Sequence, residues 1–176
     1  MPARKFKSYP APEALSTPTD LKPEEVQAVT EAVNPLIADA LALYIKTKNF
    51  HWHLSGSHFR DYHLLFDEQA EQILDSVDIL AERIRKIGGT TLRSISHIAA
   101  LQTLEDDNDD FVSPPEMIRR LLADNQQMAR AKRKAIDVCD ENRDSPTGNI
   151  LQELLDLTER RIWFLFEIAQ GEGNAR

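Results

Sequence analysis

A chain of 176 residues suits one domain and is too short for two of ordinary size. Its 29 acidic and 21 basic side chains leave a net charge of −8, which excludes a broadly basic nucleic-acid surface. The single cysteine, Cys139, can close no intrachain disulfide and fits a reducing compartment; the longest apolar run, Leu36 to Ile45, falls far short of the ~20 residues of a membrane span. These features predict a cytoplasmic protein without a membrane partner.

Four prolines fall among residues 1–20, which read as a mobile tail without regular structure; residues 21–176 read as one helical domain. A first helix is expected with Asp20 as N-cap and Pro23 in its first turn, carrying Val26, Val29, Val33, Leu36, Ala40, Leu43 and Phe50 at a spacing of three to four, with Pro35 expected to kink or split it. A second runs from Phe59 to Ile87, its stripe made by Tyr62, Phe66, Ile73, Val77, Leu80 and Ile84, and ends at Gly88 and Gly89. A third opens with the capping-box spacing Ser113 to Glu116 and runs to about Asp140; a fourth runs from Ser145 to Gly171. Two connections are short, whereas the one from Gly88 to Phe111 is long and has room for a short helix over Ser96 to Leu101. The expected fold is therefore all-α, a ferritin-like four-helix bundle with a long crossover between helices 2 and 3 that carries a short extra helix.

Four of the five histidines, His51, His53, His58 and His63, lie within thirteen residues. On the second helix His63 and Asp67 are spaced i, i+4, as are Asp78 and Glu82, and at 100° per residue all four share one face. Asp67 and Asp78 are nevertheless about 16 Å apart along the axis, too far to bind one ion whose ligands lie at ~2.0–2.6 Å. Position numbers 63 and 82, like 67 and 78, are symmetric about Gln72 and Ile73. Two such helices crossing antiparallel on a two-fold axis would thus bring His63 and Asp67 of one chain to Asp78 and Glu82 of the other, making two identical sites. His51 could add a nitrogen ligand. Tyr62, Phe66 and Ile73 flank the stripe as apolar surface for that interface. The competing reading is a solvated acidic face balanced by Arg83, Arg85 and Lys86. A di-iron site within one bundle lacks its signature, because no Glu-x-x-His occurs and His97 is the last histidine. Mixed imidazole and carboxylate ligands favour iron, zinc or manganese.

The run Lys48-Asn49-Phe50-His51-Trp52, with Gly56, Phe59, His63, Asp67, Asp78, Ala81-Glu82-Arg83 and the closing Gly88-Gly89, resembles the signature of the Dps family, the ferritin-like DNA-binding proteins from starved cells. The resemblance spans roughly residues 21–170. It implies a hollow homo-oligomer of twelve subunits that oxidises Fe(II), mostly with hydrogen peroxide, at two-fold interfaces and stores the ferric product, protecting DNA from oxidative damage. It assigns His51, His63 and Asp67 from one subunit and Asp78 and Glu82 from its neighbour as catalytic metal ligands, sets Trp52 beside the site to intercept radicals, and lets Lys48 pair with a site carboxylate when metal is absent. His53 and His58 read as loop histidines. Asp140, Glu141 and Asp144 are the candidates for an acidic three-fold pore. Arg4, Lys5 and Lys7 are the only bases in the tail, so DNA binding is expected to be weak and non-specific, or nil. The alternative is a DNA-binding protein that structures the bacterial nucleoid and binds zinc or iron incidentally.

Overall fold

The computed structural model describes residues 11–172, in which five helices follow one another: α1 (Pro23–His53), α2 (Phe59–Lys86), α3 (Ile95–Leu101), α4 (Pro114–Glu141) and α5 (Ser145–Glu172). No strand occurs among the described residues. A 3-10 turn at Glu13–Leu15 precedes α1, so the segment expected to hold no regular element carries one, and it is tied to α2 by a hydrogen bond from Arg85 to the Leu15 carbonyl.

Local chemistry explains the boundaries. The first helix starts after Lys22 rather than after Asp20, because the Glu25 carboxylate accepts the Lys22 backbone N–H at 2.7 Å and Pro23 takes the first helical position, where its missing N–H is harmless. Pro35 does not split α1: the helix is unbroken over its 31 residues. Val33, Leu36, Ile37 and Ala38 are all buried around it, and this packing outweighs the backbone hydrogen bond that proline forfeits. At α4 the expected capping box does not form, since Glu116 is drawn instead to Arg119 and Arg120. At α5 the cap is Asp144, whose carboxylate accepts the Thr147 N–H at 3.2 Å and the Thr147 hydroxyl at 2.5 Å, and also binds Arg83 at 2.5 Å.

In the bundle α1 pairs with α2 and α4 with α5, while α1 also packs on α4 and α2 on α5. The cyclic order is therefore α1, α2, α5, α4, with α2 and α4 diagonal. Arg83 near the end of α2 meets the α4–α5 turn, and Lys46 near the end of α1 meets Asp124 in the first half of α4. Both hairpins are antiparallel, so α4 starts at the end of the bundle opposite to where α2 stops. The crossover must climb the whole bundle, which is why it is long. It is pinned midway by Asp39 in α1, whose buried carboxylate accepts the Thr103 N–H and hydroxyl at 2.5 and 2.8 Å and the Leu104 N–H at 3.0 Å. This is an ordered connection that packs α3 on α1, in a ferritin-like arrangement.

Two apolar clusters fill the interior. One gathers Leu43, Phe50, Phe66, Ile118, Leu121 and Leu165; the other Val29, Val33, Ile37, Leu80, Ile84 and Leu151. Fully burying each large side chain contributes about 1.5–3 kcal/mol. Tyr62, Phe66 and Ile73 belong to the first cluster and are not interface surface. The apolar side chains that α2 leaves exposed are Phe59, Leu64, Leu74 and Ile79. By length and composition α1 could cross a membrane, its best window averaging a hydropathy of 1.3, but 56% of that window is buried inside the bundle, and its polar residues Asp39 and Lys46 are paired there. Between α4 and α5 lies a buried polar cluster: Lys132 donates to the Leu154 carbonyl and the Thr158 hydroxyl, and Arg161 to Asn125 and Thr158.

Candidate metal centre

The turn around Gly56, which adopts φ +105°, folds the end of α1 back against the start of α2 and sets His51 beside His63. Their rings stack with centroids 3.7 Å apart and planes at 19°. The Nδ1 of His51 lies 2.8 Å from the His63 carbonyl, and the Nδ1 of His63 lies 3.1 Å from the His51 carbonyl. A carbonyl can only accept, so both Nδ1 atoms carry the proton. Each ring is thereby fixed in the tautomer that leaves Nε2 as a free lone pair, the form a metal ion requires. Phe59 stacks on His63 at 5.0 Å and completes the support. His51 is buried and His63 half-buried.

Asp67 lies one turn further along α2. Its Oδ1 is 3.9 Å from His51 Nε2 and accepts a 2.5 Å hydrogen bond from Lys48 Nζ. That hydrogen bond holds the Asp67 carboxyl below the usual carboxylate range, with the opposing effect of burial next in size and the charge of Lys48 adding to the lowering. The lysine ammonium thus gives the Asp67 carboxylate the positive partner that a bound cation would otherwise provide. The carboxylate that Lys48 pairs with in this chain is that of Asp67.

Asp78 and Glu82 lie farther down α2, exposed, with Glu82 3.4 Å from Lys86. Among the described residues, no three histidine, cysteine, aspartate or glutamate side chains converge as a ligand set within the chain. His51, His63 and Asp67 come together; Asp78 and Glu82 do not join them. The midpoint of α2, over Phe59–Lys86, also falls between Gln72 and Ile73. The neighbouring donors, two imidazoles and a carboxylate, are of the mixed kind that transition metals accept, but they do not by themselves form a ligand set.

Trp52 is 61% exposed, so it is not a packing aromatic within the chain. With Ile45, Lys46, Asn49 and Asp107 it borders a groove of about 500 Å³. His53 is the last residue of α1, bonded to the Asn49 carbonyl, and His58 is the N-cap residue of α2; both are exposed. Of the pore candidates, Asp140 and Glu141 are exposed, but Asp144 is only 1% exposed and is committed to Arg83 and Thr147. Assembly can only bury it further, so Asp144 is a helix cap and not a pore residue. Arg4, Lys5 and Lys7 lie outside the described residues. The histidine tautomer lock and the exposed Leu64, Leu74 and Ile79 were not anticipated. The first depends on a turn conformation, and the second only on which face of α2 the bundle takes up.

Comparison with known proteins identifies the family and the fold. A model of the ferritin-like domain matches residues 30–171. The chain is 33% identical over 153 residues to an uncharacterized low temperature-induced protein of a Nostoc strain, covering 86% of each chain. It is 30% identical to the DNA protection during starvation protein of Agrobacterium fabrum, over 85% of this chain and 92% of that one. Among solved structures, DpsC from Streptomyces coelicolor superposes with a TM-score of 0.83 at 28% identity, over 86% of this chain and 88% of that one. With the ferritin-like model covering most of the chain and a Dps relative matched nearly end to end, the protein belongs to the Dps family of ferritin-like proteins.

Proposed function

We propose that this chain is a ferroxidase subunit: two copies meet across α2, each offers His51, His63 and Asp67 to the other's Asp78 and Glu82, and the paired sites oxidise Fe(II). The observation that carries this reading is the reciprocal His51 and His63 hydrogen bonding, which presents two Nε2 lone pairs beside Asp67, where no complete ligand set gathers among the described residues. Fe(II) is the substrate. Its arrival displaces the Lys48 ammonium from Asp67, so a divalent cation replaces a monovalent one beside the same carboxylate. Asp78 and Glu82 then balance the charge that builds up as iron is oxidised. With hydrogen peroxide as oxidant, two Fe(II) ions each give up one electron, and the peroxide takes up two protons and leaves as two waters. Trp52, exposed beside His51, is placed to receive a stray oxidising equivalent. Twelve acidic subunits in a closed cytoplasmic shell would hold the ferric product. Removal of iron and peroxide is then the means by which such a protein shields DNA, the role in the name of its Agrobacterium relative.

The test is anaerobic Fe(II) loading followed by peroxide, read by the absorbance of the ferric product. Replacing Asp78 and Glu82 together should abolish fast oxidation and leave the assembly intact; an unchanged rate would falsify the assignment. Mixing that variant with one lacking His63 and Asp67 should restore about one intact site per hybrid dimer, and failure to recover would place the site within one chain. The same preparations loaded with zinc show whether that ion competes at the site. A gel shift at low salt, with and without residues 1–20, tests the tail bases against DNA.

A further inference from the structure

The segment before α1 is docked on the end of α2 that carries Glu82. Arg85 Nη2 donates to the Leu15 carbonyl at 2.8 Å and lies 3.4 Å from the Thr17 hydroxyl, while its Nη1 donates to the Gly89 carbonyl. Gly88 adopts φ +88°, and a Cβ there would stand 3.0 Å from the Thr17 carbonyl oxygen, so the segment lies directly on the helix end. Between this strap and α2 runs an open groove of about 520 Å³ lined by Thr17, Ala81, Glu82, Arg85, Lys86 and Thr91.

Resting on the two-fold reading given above, we propose that this groove is part of the subunit interface and that its occupant is Leu64 of a second copy of the chain. The register that joins 63 to 82 and 67 to 78 also sets 64 opposite 81. At 100° per residue from His63, Leu64 and Glu82 both fall near 100°, so the partner's Leu64 descends on the Glu82 side of α2, over the groove. Leu64 is 52% exposed, while Ala81 gives the groove an apolar wall. The same register sets Arg85 opposite the partner's Arg60, an unfavourable pairing of like charges. The strap removes the conflict by drawing the Arg85 guanidinium onto Leu15, Thr17 and Gly89. The strap therefore has two roles at the interface: it is one wall of the leucine pocket, and it turns an arginine away from the partner.

The experiment is sedimentation velocity on the metal-free full chain over a dilution series in urea below the unfolding transition. It compares full-length protein, chains lacking residues 1–10 or 1–17, Ala81→Trp to fill the groove, Leu64→Ser, and Leu64→Ser combined with the longer truncation. Circular dichroism confirms that each variant keeps its helices, and Thr17→Trp repeats the blockade without shortening the chain. Loss of residues 1–17, Ala81→Trp and Leu64→Ser should each raise the dissociation midpoint by about tenfold, and loss of residues 1–10 should leave it unchanged. In the Leu64→Ser background the longer truncation should add clearly less than it does alone, because the leucine contact is already broken and only the release of Arg85 remains. An unchanged midpoint without residues 1–17, or full additivity of the truncation with Leu64→Ser, would overturn the proposal. Since the readout is association without iron, loss of oxidation in the Asp78 and Glu82 variant alongside strap-independent assembly overturns only the strap. A chain that never dimerises overturns both readings.

Discussion

Lys132 is 2% exposed between α4 and α5, its Nζ 3.2 Å from the Leu154 carbonyl and 2.5 Å from the Thr158 hydroxyl, with no carboxylate among these partners. Burial, and after it the charge of Arg161, pushes its pKa down to about 7 from an ordinary lysine value of 10.5. At about 1.4 kcal/mol per pKa unit, holding the ammonium in place costs on the order of 5 kcal/mol, and structural relaxation will lower that figure. Between pH 7 and 10.5 the unfolded chain binds more protons at this lysine than the folded one, so stability should rise with pH across that window; below pH 7 the cost is present in full. Lys132→Met keeps much of the volume and leaves Thr158 bonded to Leu154. It should stabilise the protein by ~3–5 kcal/mol at pH 6, with the gain fading toward zero near pH 10.5. Urea denaturation at pH 6, 8 and 10, with both proteins at one concentration so that assembly affects them equally, measures the difference. Identical pH slopes in the two proteins would show that Lys132 is not held charged against a desolvation cost.

Asp144→Ala removes the α5 cap and strands Arg83, which should cost ~2–4 kcal/mol in thermal or urea denaturation. Asp39→Ala breaks three hydrogen bonds to the crossover; the Thr103 and Leu104 amides should exchange with deuterium much faster while the helical content is retained. In Lys48→Met the Asp67 carboxyl, no longer held low by the ammonium, should titrate nearer the usual carboxylate range, so the acid limb of iron oxidation moves to higher pH. Cys139, fully buried and with its thiol pushed up to about 12 chiefly by burial, should ignore thiol reagents at pH 8 until the protein is denatured.

The helices were legible because their signals are local. The apolar spacing of α1 and α2, the prolines opening α4 and α5, and the paired glycines after α2 all act within a few residues, and the long proline-free crossover announced the topology. What stayed hidden depends on partners distant in sequence. Asp20 looks like an N-cap until the Glu25 carboxylate is seen to bind the Lys22 amide. The segment around Leu15 reads as tail because its anchor, Arg85, lies 70 residues away. Tyr62 and Phe66 were assigned both to the core stripe and to the interface, and only the packing of α2 against α1 and α5 decides between the two. At the candidate site, helical periodicity alone grouped His63 with Asp67 and separated them from Asp78 and Glu82. The pairing of His51 with His63 required the turn at Gly56, whose geometry no periodicity encodes.

α2 carries both halves of the proposed site on one unbroken helix, and a rigid helix behaves as a ruler. Deleting one residue anywhere between Asp67 and Asp78 would turn one half 100° away from the other and draw it 1.5 Å closer. Each chain would then misplace a half-site in two centres at once. Point substitutions along this stretch can be absorbed one at a time, but a change in its length cannot, so the number of residues from Asp67 to Asp78 should be inherited as a unit.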